Sequence, residues 1–256
     1  MKTVAIVQAR MTSSRLPGKV LADLDGAPML ERVVSRLRAA SRVDAVWVAC
    51  TDGRADDPVA EWCDGAGVPV WRGSETDVLG RYTGAAGASE ADVIVRITAD
   101  CPLLDPGVVD LVLAALADRG VDYATNVLER SYPRGLDVEA FTRAALERMD
   151  RLGHSAESRE HVTLGPRLEH PESFTVTNVR GPDDDSDLRW TVDTAEDLAF
   201  VRSLYQALGL AARPLSYRDL VRWCRANEPW ARRDRPGHTW DPARAGAGSP
   251  SGGGTP

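Results

Sequence analysis

Short apolar runs alternate with stretches of helical spacing from Val4 onward, and this alternation organises most of the chain. Val4 to Val7 is a β-branched apolar run of the kind that forms a buried strand. Pro28 then opens a helical pattern at Met29, Leu30, Val33, Val34 and Leu37. Further strands are predicted at 44–50 and 68–71, separated by a short helix over 56–65. Helical spacing resumes through Val78, Leu79 and Tyr82, ahead of the strongest strand, 92–98. That strand must stop near Asp100, because Pro102 and Pro106 cannot continue a ladder. A helix over 107–117 and a strand over 122–127 follow. Strands and helices in this order argue an α/β fold with a doubly wound, mostly parallel sheet.

The pattern is less regular over 128–179, which reads as a small insertion, an acceptor lid or a dimer contact. Within it, 136–141 alternates like a half-buried strand. Helices are expected over 143–151 and 156–164, and a strand over 174–179. The last clear strand is predicted at 188–192 (LRWTV), ending at Asp193. Thr194-Ala195-Glu196-Asp197 is a capping-box pattern that starts a helix through Leu198, Val201, Leu204 and Leu208. A short helix over 216–226 closes the domain, expected to span 1–230. Residues 231–256 are rich in Arg, Pro, Gly and Ser and are expected to be a disordered tail.

Composition narrows the function classes. A formal net charge of -7 argues against a general nucleic-acid binder, which needs a basic footprint. Four scattered cysteines without a C-x-x-C pair support neither a zinc site nor a disulfide framework, and read as reduced thiols in a cytoplasmic protein. No apolar run is long enough to span a membrane.

The loop after the first strand carries three cations, Arg10, Arg15 and Lys19, with hydroxyls at Thr12, Ser13 and Ser14. A loop leaving the carboxyl end of the first parallel strand is where open α/β sheets place ligands. Cations there can oppose a polyphosphate through charge-assisted bonds, or simply keep a surface loop solvated. The Walker pattern is excluded by Ser13 and Val20, and the G-x-G-x-x-G fingerprint is absent from this turn. Asp100 and Asp193 both directly follow predicted strands, so a parallel sheet brings them to the edge that carries this loop. Paired carboxylates beside cations suit a Mg²⁺–nucleotide site. Their alternatives are an Asx turn at Asp100 and a helix cap at Asp193.

Ala9-Arg10 followed by Ser13-Ser14-Arg15-Leu16-Pro17-Gly18-Lys19 resembles the opening signature of the cytidylyltransferases that activate acidic sugars, which make CMP-octulosonate and CMP-acylneuraminate. The Gln-Ala-Arg-Met opening places the chain nearest to the branch named for spore-coat polysaccharide biosynthesis. Arg72-Gly73-Ser74-Glu75-Thr76-Asp77 and Val192-Asp193-Thr194-Ala195-Glu196-Asp197 also match, in the family's order. Thr98-Ala99-Asp100 stands where the octulosonate enzymes carry Gln-Gly-Asp.

The resemblance implies a Rossmann-like (GT-A-like) nucleotidyltransferase fold and Mg²⁺-dependent transfer of CMP from CTP to an acidic sugar or related small acceptor. Pyrophosphate would be released, and a homodimer is expected. It implies that Asp100 and Asp193 bind Mg²⁺ and that Arg15 and Lys19 hold the triphosphate. Gln8, Ala9, Arg10 and Ser14 would flank the nucleotide with Thr98 and Ala99. Gly73, Ser74 and Asp77 would belong to a loop closing over base and ribose, where the residues alone favour a helix cap with Thr76 as N-cap. Arg134, Asp137, Glu139, Arg159 and His161 are the candidate acceptor contacts, although Glu157 and His161 equally read as a solvated i,i+4 pair. The rival readings are another NTP:sugar-phosphate nucleotidyltransferase, a nucleotide-sugar glycosyltransferase, or a non-enzymatic nucleotide-binding module.

Overall fold

In the computed structural model, which describes residues 1–227 and Trp230, the first apolar run becomes β1 (Thr3–Gln8). Its side chains alternate between two cores. Val4 and Ile6 face one layer of helices, while Ala5 and Val7 face the other. Only a strand covered on both sides needs apolar residues at every position, as this run supplies. The expected tail over 231–256 lies outside the described residues.

The elements follow the predicted order. They are α1 (Met29–Arg38), β2 (Ala45–Thr51), α2 (Asp57–Gly65), β3 (Val70–Gly73), α3 (Val78–Ala88), β4 (Val93–Thr98), α4 (Pro106–Arg119) and β5 (Tyr123–Thr125). Then come β6 (Glu139–Thr142), α5 (Arg143–Leu152), α6 (Ala156–Glu160), β7 (Val176–Asn178), α7 (Ala195–Leu208) and α8 (Tyr217–Ala226). The seven strands form one mixed sheet in the order β3-β2-β1-β4-β6-β5-β7. All pairings are parallel except those of β6, which runs antiparallel to β4 and β5. On one face pack α1, α2, α4, α7 and α8; on the other pack α3 and α5. Among the described residues, no helix is long and apolar enough to cross a membrane.

Three local expectations are corrected. The segment 188–192 is extended, and Leu188, Trp190 and Val192 are all fully buried. It belongs to none of the seven strands of the sheet, however; an isolated bridge links Arg189 to Arg134, and Val192 N–H bonds to the Asp100 carbonyl. A period of two records burial on one side of an extended chain, not pairing. Glu139, Ala140 and Phe141 of β6 are buried on both faces, not half-buried. The helix expected over 156–164 ends at Glu160, and a separate turn at Gly165–Glu169 follows, with Pro166 early in it. Residues 128–179 are woven into the architecture, since they supply β6 and β7 to the sheet.

Gly135 fixes the path of the 188–193 segment. Its φ is +110°, and a Cβ there would lie 2.9 Å from the backbone of Trp190 and Thr191. On either side of that contact, Arg134 donates its N–H to the Leu188 carbonyl and accepts from Trp190 N–H, at 2.9 and 2.7 Å. Strained backbone and backbone overlap add here. Gly135→Ala is therefore expected to cost roughly 2–4 kcal/mol of unfolding free energy, measured by urea denaturation.

Candidate active site

The site is built where the order of strands reverses. From β1 the chain goes out through β2 to β3, and β4 lies on the other side of β1. Gln8 at the end of β1 is in register with Thr98 at the end of β4, and Ala99 N–H donates to the Gln8 carbonyl at 3.0 Å. The loops leaving these two strands therefore diverge from adjacent points, the crevice in which open α/β sheets bind ligands.

The first loop folds back on itself. Gly18 takes the left-handed conformation (φ +74°), and its N–H donates to the Met11 carbonyl at 2.8 Å. This return carries Lys19 into a short 3-10 turn, Lys19–Leu21, beneath the loop. Its ammonium is largely buried and has three acceptors: Asp100 Oδ2 at 2.9 Å, Asp193 Oδ1 at 3.2 Å and the Val192 carbonyl at 2.8 Å. Asp193 is also held by Arg15 Nη2 at 3.0 Å and Arg189 Nη2 at 2.6 Å. Thr98 Oγ1 donates to the other oxygen of Asp100, at 2.5 Å. Val192 N–H donates to the Asp100 carbonyl at 2.9 Å, which ties the two aspartate segments together.

Asp193 is set by the helix that follows it. Thr194 and Asp197 form the capping box of α7, and Asp197 Oδ2 accepts from the N–H groups of Asp193 and Thr194, at 2.8 and 2.7 Å. Capping is thus performed by Thr194 and Asp197, while the Asp193 carboxylate faces the cations. Burial pushes the Asp193 carboxyl up. Lys19, through its charge and hydrogen bond, and then Arg15 and Arg189 outweigh this and hold it below the usual carboxylate range.

A cleft of about 200 Å³ opens here, lined by Gln8, Arg10, Ser14, Arg15, Lys19, Thr98, Ala99, Asp100 and Asp193 from the sequence-based set, together with Ser13 and Val20. Arg10 is exposed and has no carboxylate partner among the described residues. Gln8 carries a buried side-chain oxygen without a hydrogen-bond partner among the described residues. Ala9 is buried, with its N–H on the Ala49 carbonyl at 3.0 Å.

The other expected residues do not line this cleft. Gly73 ends β3, and Ser74 follows it. The N-cap of α3 is Asp77 rather than Thr76; its carboxylate accepts from Gly80 N–H at 2.8 Å. Asp77 also receives a bidentate pair from Arg159, with both bonds at 2.7 Å, and Arg159 reaches Asp150 as well, at 2.7 Å. The Arg159 guanidinium therefore clasps the Gly73-to-Asp77 loop to α6. Asp137 pairs with Arg130 at 2.5 and 3.0 Å. Glu139 is buried against Arg96, its cross-strand partner, and accepts from Tyr123 Oη at 2.5 Å and Thr163 Oγ1 at 2.6 Å. Arg134 sits beside Arg189 through the isolated bridge, and His161 is exposed at the end of α6.

Four residues outside the expected set shape the site. Buried Asp56 accepts from Met11 N–H at 2.7 Å and Thr51 N–H at 2.8 Å, pinning the first loop to the end of β2. Arg189 braces Asp193; its i,i+4 spacing was visible but lay inside a presumed strand. Arg81, almost fully buried on α3, donates to the carbonyls of Ser74 and Glu75 and so holds the second loop. Its signal was a charge among apolar positions on a helix face. Glu75 in turn accepts from Thr12 at 2.7 Å, joining the two loops. Nothing in local spacing marks Asp56 or Glu75.

A family model described as cytidylyltransferase matches residues 4–206. The chain is 36% identical over 211 residues to the spore coat polysaccharide biosynthesis protein SpsF of Bacillus subtilis, covering 80% of this chain and 86% of that one. It is 36% identical over 118 residues to 3-deoxy-manno-octulosonate cytidylyltransferase of Pelobacter propionicus, covering 46% of each. The fold is similar to the structure of a cytidylyltransferase from Leptospira borgpetersenii, with TM-score 0.84 and 34% identity over 90% of this chain and 97% of that one.

Two expectations follow from the charge pairs. Because the folded Asp193 carboxyl titrates below its unfolded value, its contribution to stability is complete above pH about 4 and is lost as pH falls through the folded value. Asp193→Asn should lower stability at pH 7 by about 1–3 kcal/mol, and the gap to wild type should close on acidification in urea denaturation series. Glu139→Gln leaves the Arg96 charge buried without its counter-ion and should cost about 3–5 kcal/mol in the same assay at pH 7.

Proposed function

Since the chain belongs to the cytidylyltransferase family, as the match over residues 4–206 establishes, we propose that it transfers CMP from CTP to an oxygen of an acidic sugar or related small acceptor, releasing pyrophosphate. One observation carries this reading. Asp100 and Asp193 converge with Lys19 and Arg15 at the strand-order reversal, and Arg10 stands at the same cleft without a carboxylate partner among the described residues.

The residues fit a divalent cation, because both carboxylates already share one cationic partner, the Lys19 ammonium. Asp100 and Asp193 would hold Mg²⁺, which supplies neutralisation of the triphosphate and polarisation at the α-phosphorus. The chain's own groups do the rest. Arg10, Arg15 and Lys19 bind the phosphates and stabilise charge that moves onto the leaving pyrophosphate. The acceptor oxygen forms its bond to the α-phosphorus as the α–β bridging bond breaks. Asp193, held ionised by its cations, is a poor general base, so the acceptor's proton leaves to solvent or is absent from an already anionic acceptor.

The Gly73-to-Asp77 loop would cover base and ribose, held in place by Arg81 and Arg159 rather than by free side chains. Support for an acidic acceptor comes from the octulosonate-activating relative and from the excess of cations around the cleft. Residues 128–179 would provide the dimer contact, since Leu128 and Leu168 are both exposed there.

The test is nucleotide binding followed by turnover. CTP with Mg²⁺ should raise the melting temperature more than ATP, GTP or UTP, and EDTA should remove most of the gain. Asp100→Asn should reduce pyrophosphate release from CTP and an acidic sugar by about 10²–10³-fold. Equal stabilisation by all four nucleotides, or turnover unaffected by that substitution, would overturn the reading.

A further inference from the structure

An ammonium has three donors, and all three of Lys19's are used: on Asp100, on Asp193 and on the Val192 carbonyl. A lysine held in this way has no donor left for a phosphate. It also fills the space between the carboxylate oxygens, which lie 2.9 and 3.2 Å from its nitrogen. A Mg²⁺ ligated by both oxygens would sit about 2.1 Å from each, within the volume that the ammonium occupies.

We propose that Lys19 is a resident counter-ion that excludes the divalent metal until a nucleotide triphosphate draws it away, so that metal loading is conditional on nucleotide. The inference rests on the preceding reading that Asp100 and Asp193 are the metal ligands.

Charge accounting favours this exchange. Without ligand, Lys19, Arg15 and Arg189 already face the two carboxylates, and Asp193 alone touches all three cations. A divalent ion arriving alone would join carboxylates that already face several cations. It would also strand a largely buried ammonium without its two carboxylates, and uncompensated buried charge is strongly unfavourable. A triphosphate removes both obstacles. Its oxygens accept the three hydrogens that Lys19 withdraws, and its charge balances the incoming metal. Arg10, exposed and without a carboxylate partner among the described residues, is free to meet the nucleotide before Lys19 moves.

Mn²⁺ serves as the probe because its free ion is counted directly by electron paramagnetic resonance. Full-length wild-type protein without nucleotide should bind Mn²⁺ weakly. Lys19→Met without nucleotide should bind at least about tenfold more tightly, and adding Asp193→Asn to it should abolish the gain. A second readout needs no variant. In the wild-type protein Mn²⁺ alone should leave the melting temperature unchanged, while Mn²⁺ with CTP should raise it beyond CTP with EDTA. The inference is overturned if Mn²⁺ alone stabilises the wild type as much as it does with CTP. It is equally overturned if folded Lys19→Met binds Mn²⁺ no better than wild type. If CTP with Mn²⁺ still stabilises the wild type in that case, only the inference fails; if CTP has no effect with or without metal, the proposed function fails with it.

Discussion

Two like charges are held side by side at this cleft because a third, opposite charge stands between them. Asp100 and Asp193 come from segments 93 residues apart, and the Lys19 ammonium bonds to both. Each partner is fixed by a different device. Lys19 is turned inward by the left-handed Gly18, Asp100 is delivered by the end of β4, and Asp193 is aimed by the capping box that opens α7. The Val192 carbonyl and N–H close the arrangement, one on Lys19 and the other on Asp100. Loss of any one device would leave the others holding unbalanced charge, which couples the local backbone at three distant places to one electrostatic balance.

The mixed sheet imposes a second balance behind the first. β6 is inserted antiparallel between β4 and β5 and is covered on both faces, so its one acidic residue cannot reach water. Glu139 is paired instead with Arg96 across the ladder, and Arg96 lies 5.9 Å from the centre of the Tyr82 ring. Burial pushes the Glu139 carboxyl up, but Arg96, Thr163 and Tyr123 outweigh it and keep it ionised. Such a pair adds little net stability compared with apolar packing, but it penalises slippage. A one-residue shift in register would remove Glu139 from Arg96 and bury both charges unmatched. Thr163, which also bonds to Glu139, lies just beyond α6, so the same carboxylate secures the segment that carries Arg159.

What could be read from the sequence divides along the range of the interactions. β1, β4 and the start of α7 were legible because apolar runs and the Thr194-to-Asp197 box are local signals. The candidate cleft was legible for the same reason, since strand ends on one edge of a parallel sheet must meet. The partners of charged residues were not. Arg159 reaches Asp77 across 82 positions and Glu139 reaches Arg96 across 43, and no spacing rule connects them. Both were therefore expected at an acceptor site, where free charges would be useful, although the structure commits their charges to other side chains. The 188–192 segment misled for a different reason. Its alternation is real, but its buried side chains pack into the core while its backbone bonds to single neighbours at Arg134 and Asp100 instead of to a ladder. The choice between Thr76 and Asp77 as the N-cap was beyond sequence patterning, because it turns on one residue of phase and on Arg159 arriving from elsewhere.

An acidic chain that binds a polyphosphate needs its charges separated by more than the distance over which water and salt transmit them. The formal net charge of -7 is spread over 256 residues, and at physiological ionic strength a charge is largely screened beyond about 8 Å. What an approaching triphosphate meets is therefore the local set. Arg10 and Arg15 are exposed, Lys19 lies behind them, and the carboxylates beside them are already bonded to cations. Asp56 and Glu75 build the loops that carry these cations, accepting from Met11 N–H and the Thr12 hydroxyl. The excess of negative charge elsewhere opposes long polyanions, while the cleft, lined by Arg10, Arg15 and Lys19, keeps a local attraction for a small one. The attraction a small polyphosphate meets at the cleft thus follows from where the cations are placed, not from how many there are.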